Sequence, residues 1–107
     1  MESCEFFKCL SEPVRLRLLY LLTQRTELCV CEFTQALELP QSVVSRHLAY
    51  LREHEVITPE KRGRWVYYQI NPQNLFIDWL ESIQGLSTLE QQLSEDLQRL
   101  TKELAVC

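Results

Sequence analysis

One hundred and seven residues suit a single domain with one modest core, and a 46% hydrophobic fraction is that of an ordinary globular chain, not a disordered one. No apolar run approaches the roughly 18–20 residues that cross a bilayer, and the acidic opening Met1-Glu2-Ser3-Cys4-Glu5 is unlike the basic start of a secretory signal, so a cytoplasmic chain with no membrane partner is expected. The formal net charge of −4 conceals an asymmetry: residues 41–72 carry a net +2 between flanks of −2 and −4, which makes the middle third the part suited to a polyanion.

Cys4 to Leu10 reads as a short helix with Phe6, Phe7 and Leu10 turned inward. Ser11-Glu12-Pro13 opens a second helix, with Ser11 or Glu12 as the cap and Pro13 in the first turn. Val14, Leu16, Leu18, Leu19, Leu21 and Leu22 make it apolar over much of its circumference, so it is the expected core helix, kept in solution by Arg15, Arg17 and Arg25. A third helix is expected over Val30–Leu37. After Glu38-Leu39-Pro40, a fourth runs from Gln41 to about His54, with Val44, Leu48 and Leu51 on one inward stripe. Two helices joined by three or four residues have the helix-turn-helix spacing.

The period then changes. Val56-Ile57-Thr58 is β-prone, Lys61-Arg62-Gly63-Arg64 is a turn in which Gly63 can take a positive φ, and Trp65–Ile70 is aromatic and β-branched, which together predict a hairpin with a basic tip. Asn71-Pro72 ends the strand and opens a C-terminal helix faced by Leu75, Phe76, Trp79, Leu80 and Ile83. Beyond Gly85, Ser87-Thr88-Leu89-Glu90 has the form of a capping box. Leu86, Leu89, Leu93, Leu97, Leu100 and Leu104 then repeat at near-heptad spacing.

Helices, helix-turn-helix, hairpin and helix, in that order, describe a winged helix: mainly α with a β-hairpin wing. In such a unit the second helix of the pair enters the major groove and the wing lies along the backbone. Gln41, Ser42, Ser45, Arg46 and His47 on that helix are chemically able to read base edges. Lys61, Arg62 and Arg64 suit phosphate contact, which positions the protein without reading sequence. The expected partner is double-stranded operator DNA. Paired half-sites call for a homodimer, with residues 1–107 as one domain and residues 1–10 and 72–107 as its dimerisation helices.

Five cysteines in a cytoplasmic chain do not form a disulfide framework. Cys29 and Cys31 are two apart, and on a regular helix they would diverge by about 200°. They can share an ion only at a helix start, with Cys29 as N-cap, Val30, Cys31 and Glu32 following, and Cys29-x-x-Glu32 forming a capping box with Cys in place of Ser or Thr. A thiol there is favoured as thiolate by the helix dipole. An ion pulling both sulfurs together would disturb the first turn and shift the reading helices out of register with the DNA. The competing reading is two small, buried, inert cysteines. A redox signal through the thiols is a further alternative, and an enzyme the weakest, since no C-x-x-C, Gly-rich loop or nucleophile–base pair is present.

Ser45-Arg46-His47-Leu48-Ala49-Tyr50-Leu51-Arg52-Glu53 resembles the S-R-H-L-x-x-L-R-E signature of ArsR/SmtB-type repressors. Gly63–Tyr68 is similar to their wing, Glu12–Leu16 to their D-x-T-R-L opening, and Glu27-Leu28-Cys29-Val30-Cys31-Glu32 to the E-L-C-V-C-D motif of the arsenic-responsive branch. The resemblance runs from about Phe7 to Asn71. It implies a homodimeric repressor released from its operator when arsenite or antimonite, As(III) or Sb(III), binds cysteine thiolates. Cadmium or lead, Cd(II) or Pb(II), is the alternative inducer. Three positions depart from the pattern: Glu55 stands where Gly follows the recognition helix, Pro40 where a Ser caps it, and Thr34 where a third Cys completes C-x-C-x-x-C. A third sulfur would then come from Cys4, Cys9 or Cys107. The absence of His from the C-terminal stretch argues against the zinc-sensing branch.

Overall fold

The computed structural model describes residues 3–73 and 91–101. Helix α1 covers Ser3–Leu10. Helix α2, Pro13–Gln24, starts as the sequence predicts: the Glu12 carboxylate accepts from the Arg15 backbone N–H at 3.0 Å and Pro13 occupies the first turn, where its missing N–H costs nothing. Strand β1, Leu28–Cys29, leads into α3, Val30–Leu37. Helix α4 is Gln41–Glu53, strands β2 and β3 are Ile57–Arg62 and Trp65–Ile70, and a last helix, α5, covers Gln91–Thr101.

Buried Leu18, Leu19, Leu21 and Leu22 put α2 at the centre of the core, against Phe33 and Leu37 of α3 and Val44, Leu48 and Leu51 of α4. Helix α5 lies on α2 and α3. Leu93 and Leu100 are buried there and Leu97 is partly buried, so this part of the leucine stripe packs within its own chain instead of standing free for a partner. Heptad-like spacing creates an apolar face without specifying what covers it. The remaining stripe residues Leu86, Leu89 and Leu104, and everything read over 74–90, lie outside the described residues.

The sheet is three-stranded, in the order β1-β3-β2 and antiparallel throughout. Sequence reading missed β1, because two residues show no alternation. It also placed the turn too early: Lys61 and Arg62 belong to β2, and Gly63-Arg64 alone make the turn, with Gly63 at φ +63°. A positive φ at the first central residue only is the pattern of a type II′ hairpin turn. Pro59 is tolerated inside β2 because that strand is an edge.

Candidate nucleic-acid interface and thiol site

Helix α4 presents Gln41, Ser42 and Arg46 to solvent, with Ser45 half-buried beside them. His47 does not share that face. It is 9% exposed, its Nε2 lies 3.8 Å from a Glu12 carboxylate oxygen, and its Nδ1 lies 3.5 Å from Arg15. Burial holds its pKa below the ordinary histidine value, with Arg15 and Arg46 adding to the shift and Glu12 opposing it. The imidazole therefore belongs to the α2–α4 packing, a role that one-residue spacing on a helix could not separate from base contact.

On the wing, Lys61, Arg62 and Arg64 are all exposed. Arg62 is already neutralised: its guanidinium binds both Glu27 oxygens at 2.5 and 2.6 Å and Glu60 at 3.0 Å, and it stands over the Tyr67 ring at 4.8 Å. These carboxylates raise the Arg62 pKa further, and the Arg62 guanidinium in turn lowers that of Glu27. Lys61 and Arg64 form no ion pair among the described residues.

The thiol pair sits where the spacing predicts. Cys29 is the N-cap of α3 with φ −93° and ψ 167°, the Glu32 carboxylate accepts from the Cys29 backbone N–H at 3.0 Å, and the capping box closes through the Cys29 sulfur. The expected thiolate character is not found. Cys29 is 7% exposed, and burial together with the nearby Glu32 carboxylate pushes its thiol pKa above the ordinary value, outweighing the Glu32 and Cys31 backbone N–H groups that lower it. Cys31 is held in a disulfide, whereas Cys29 and Cys9 keep their thiols, so the bridge does not join the C-x-C pair to itself. That corrects the expectation of a chain without disulfides. Cys9 is fully buried in the core and its thiol is likewise pushed up by burial. The Cys4 side chain and Cys107 lie outside the described residues.

Tertiary structure joins the two regions. Cys29 pairs with Tyr67 through the β1–β3 ladder. A cavity of about 240 Å³ is lined by Cys29, Val30 and Cys31 of the thiol site, by Gln41 at the start of α4, and by Arg64, Trp65 and Val66 of the wing.

A model of the bacterial regulatory protein arsR family matches residues 12–58. The arsenic resistance transcriptional regulator ArsR1 of Pseudomonas putida is 42% identical over 98 residues, which make up 90% of this chain and 75% of that relative. The chain belongs to the ArsR family. It is a DNA-binding transcriptional regulator of the repressor type and not an enzyme. The arsenical resistance operon repressor of Escherichia coli is 43% identical over 68 residues, covering 64% of this chain and 58% of its own length. Among solved structures, the AntR antimony-specific transcriptional repressor aligns with a TM-score of 0.68 and 28% identity over 83% of this chain and 78% of that one. These likenesses support the winged-helix reading of the hairpin and helix pair.

Two departures of this ArsR-family chain from the family pattern have visible consequences. Glu55 takes the left-handed conformation itself, at φ 59°, and the turn closes as a Schellman motif: the Glu55 N–H donates to Arg52 O and the Val56 N–H to Leu51 O, each at 3.0 Å. Pro40 caps α4 through its carbonyl alone, which accepts from Val43 and Val44, and supplies no side-chain bond. Sequence reasoning missed two positioning residues. Arg15, read as a solvating charge, donates to Cys9 O and Lys8 O and covers the Tyr50 ring at 4.0 Å, which ties α1 to α4. Asp96, fully buried, binds Arg17 and Arg99. A charged residue at a helix position gives no local signal of a partner 79 positions away.

Proposed function

We propose that this chain represses an arsenical-resistance operon from the cytoplasm, binding operator DNA as a homodimer, and that arsenite or antimonite releases it by bonding to Cys29 and Cys31. One observation carries the reading: the thiol pair lines the same cavity as the first residue of the reading helix and the tip of the wing. Drawing the two sulfurs together distorts the N-cap of α3. The β1–β3 ladder and the shared cavity pass that distortion to Trp65 and Gln41 within the same protomer. A coupling of about 1–3 kcal/mol changes operator affinity roughly 5–150-fold.

The donor set fits a hydroxylated metalloid better than a bare divalent cation. A protonated Cys29 thiol can hand its proton to a departing hydroxide, which leaves as water. Cadmium or lead must instead release each thiol proton to solvent, which makes its binding more strongly pH-dependent. Two sulfurs come from the described residues, and no third His, Cys, Asp or Glu joins them among those residues. Position 34, where the family supplies a sulfur, holds Thr34, whose hydroxyl donates to Cys31 O at 2.8 Å. Cys4 or Cys107 remains as a third ligand, whereas Cys9 is committed to the core. Redox control is a second reading, favoured by the Cys31 disulfide alone.

Titrating arsenite, antimonite, cadmium, lead and peroxide against the reduced, operator-bound protein separates these readings. Release is expected with arsenite and antimonite, and to be lost in Cys29→Ser and Cys31→Ser. Release by peroxide but not arsenite, or undiminished arsenite release from the double variant, would sink the metalloid reading. Sedimentation of the complex reads the dimer.

A further inference from the structure

We propose that Glu27 sets how tightly this regulator holds DNA, by keeping the Arg62 guanidinium folded against the root of the wing and off the phosphate backbone. This rests on the reading of the wing as the element that lies along the DNA backbone.

Arg62 is the last residue of β2, in register with Trp65 at the rung next to the Gly63-Arg64 turn. A side chain there is placed to reach out from the wing tip, as the exposed Lys61 and Arg64 beside it can. The Arg62 guanidinium instead turns back. Its Cζ stands 4.8 Å from the centre of the Tyr67 ring, and Tyr67 pairs with Glu60, further from the turn than the Arg62–Trp65 rung. From there it donates to both carboxylate oxygens of Glu27, the residue that precedes β1, at 2.5 and 2.6 Å, and to Glu60 at 3.0 Å.

An isolated exposed ion pair is too weak to keep an arginine from a phosphate. Here the guanidinium fork meets the Glu27 carboxylate through two parallel bonds. A second carboxylate and an aromatic face engage the same group. Arg62, Glu27 and Glu60 together carry a negative charge in excess, so the cluster has no net attraction for a phosphate. Each cation–phosphate contact releases counterions and steepens the dependence of log affinity on log salt by about 0.9. Arg62 held by Glu27 loses that contact. With 44% of its side chain exposed, it can make the contact once Glu27 lets go. An ion pair that only steadied the hairpin would act with the opposite sign, since breaking it would loosen the wing and weaken DNA binding.

The test follows the anisotropy of a labelled duplex, selected by this protein from a random-sequence pool, across a salt series. It compares the parent with Glu27→Gln, Arg62→Ala, Glu27→Gln/Arg62→Ala and Arg64→Ala, each checked for native far-UV circular dichroism. Glu27→Gln keeps the shape of the side chain and removes its charge. It should bind the duplex at least about threefold more tightly at about 0.1 M salt, with a slope steeper by about 0.9 for each wing engaged. Adding Arg62→Ala should abolish that gain, so that the double variant and Arg62→Ala share one slope. Weaker or unchanged binding by Glu27→Gln, while Arg64→Ala still lowers the slope, overturns the proposal and leaves the wing reading standing. An equal gain in the Arg62→Ala background also overturns it, because the effect then belongs to the Glu27 charge alone. If neither Arg64→Ala nor Glu27→Gln moves the slope, the wing reading itself falls and the proposal with it.

Discussion

Replacing Asp96 by Ala removes the hub of the buried charge cluster that fixes α5 to α2 and α3. The Asp96 carboxylate accepts from Arg17 Nε at 2.7 Å and Nη2 at 2.9 Å, from Arg99 Nη2 at 2.7 Å, and from Gln92 Nε2 at 3.0 Å. The same two arginines donate to the last carbonyls of α3, Arg17 to Leu37 O at 2.9 Å and Arg99 to Ala36 O at 2.6 Å. The Arg17 and Arg99 side chains are only 15% and 23% exposed, and Asp96 is fully buried, so water is a poor substitute for the lost carboxylate. Without it, Arg17 has lost its carboxylate in a largely dry junction and Arg99 keeps only the exposed Glu38, at 3.4 Å. Breaking a buried pair from one side costs about 3–5 kcal/mol, a third or more of the total for many domains near the lower end of the usual 5–15 kcal/mol. At about 5 °C per kcal/mol for a chain of this size, Tm should fall roughly 15–25 °C.

Urea unfolding followed by far-UV circular dichroism gives the free-energy difference, and a thermal scan gives Tm. The loss should persist at 0.5 M salt (an approximate setting), because buried pairs are screened far less than exposed ones. The triple variant Arg17→Met/Asp96→Leu/Arg99→Met should recover part of it, since an apolar replacement removes the charges together. It still leaves the Ala36 and Leu37 carbonyls short of a donor, at about 1–3 kcal/mol. A loss below about 1 kcal/mol for Asp96→Ala, the range of an exposed ion pair, would refute the reasoning.

Glu55→Gly should stabilise the fold by about 0.5–1 kcal/mol, the left-handed penalty of a non-glycine residue less the extra chain entropy of glycine, read as a shift in urea midpoint with unchanged slope. Because burial lowers the His47 pKa, the unfolded chain binds a proton near pH 6.5 before the folded one does; His47 therefore contributes stability that is complete above that pH and is lost as pH falls through its lower folded pKa. His47→Gln should consequently flatten the loss of stability between about pH 7 and 5 relative to the parent, and a parallel profile would contradict it. On the wing, Arg64→Ala should reduce the salt dependence of operator binding by about one phosphate contact. Arg62→Ala should reduce it less, because Glu27 and Glu60 already neutralise that charge.

By itself the sequence determined the elements whose causes lie within four residues of one another. The Glu12 and Cys29 caps, Pro13 in a first turn, the Val44–Leu48–Leu51 stripe and the positive φ of Gly63 are local consequences of dihedral preference and helical period, and all are found in the structure. The C-x-C pair could be placed at a helix start for the same reason, since no other position lets the two sulfurs approach. Tertiary structure alone decided which way the polar groups of those elements are spent. Arg62 meets Glu27 from 35 residues away, Arg17 meets Asp96 from 79, and His47 turns to Glu12 instead of the reading face. It also decided that Leu93 and Leu100 cover α2 and α3, and that burial raises the Cys29 thiol pKa against the lowering by the Glu32 and Cys31 backbone N–H groups. The physical reason is common to these cases. A side chain's type fixes what it can bond, but its partner and its dielectric surroundings come from segments that only the folded chain brings together.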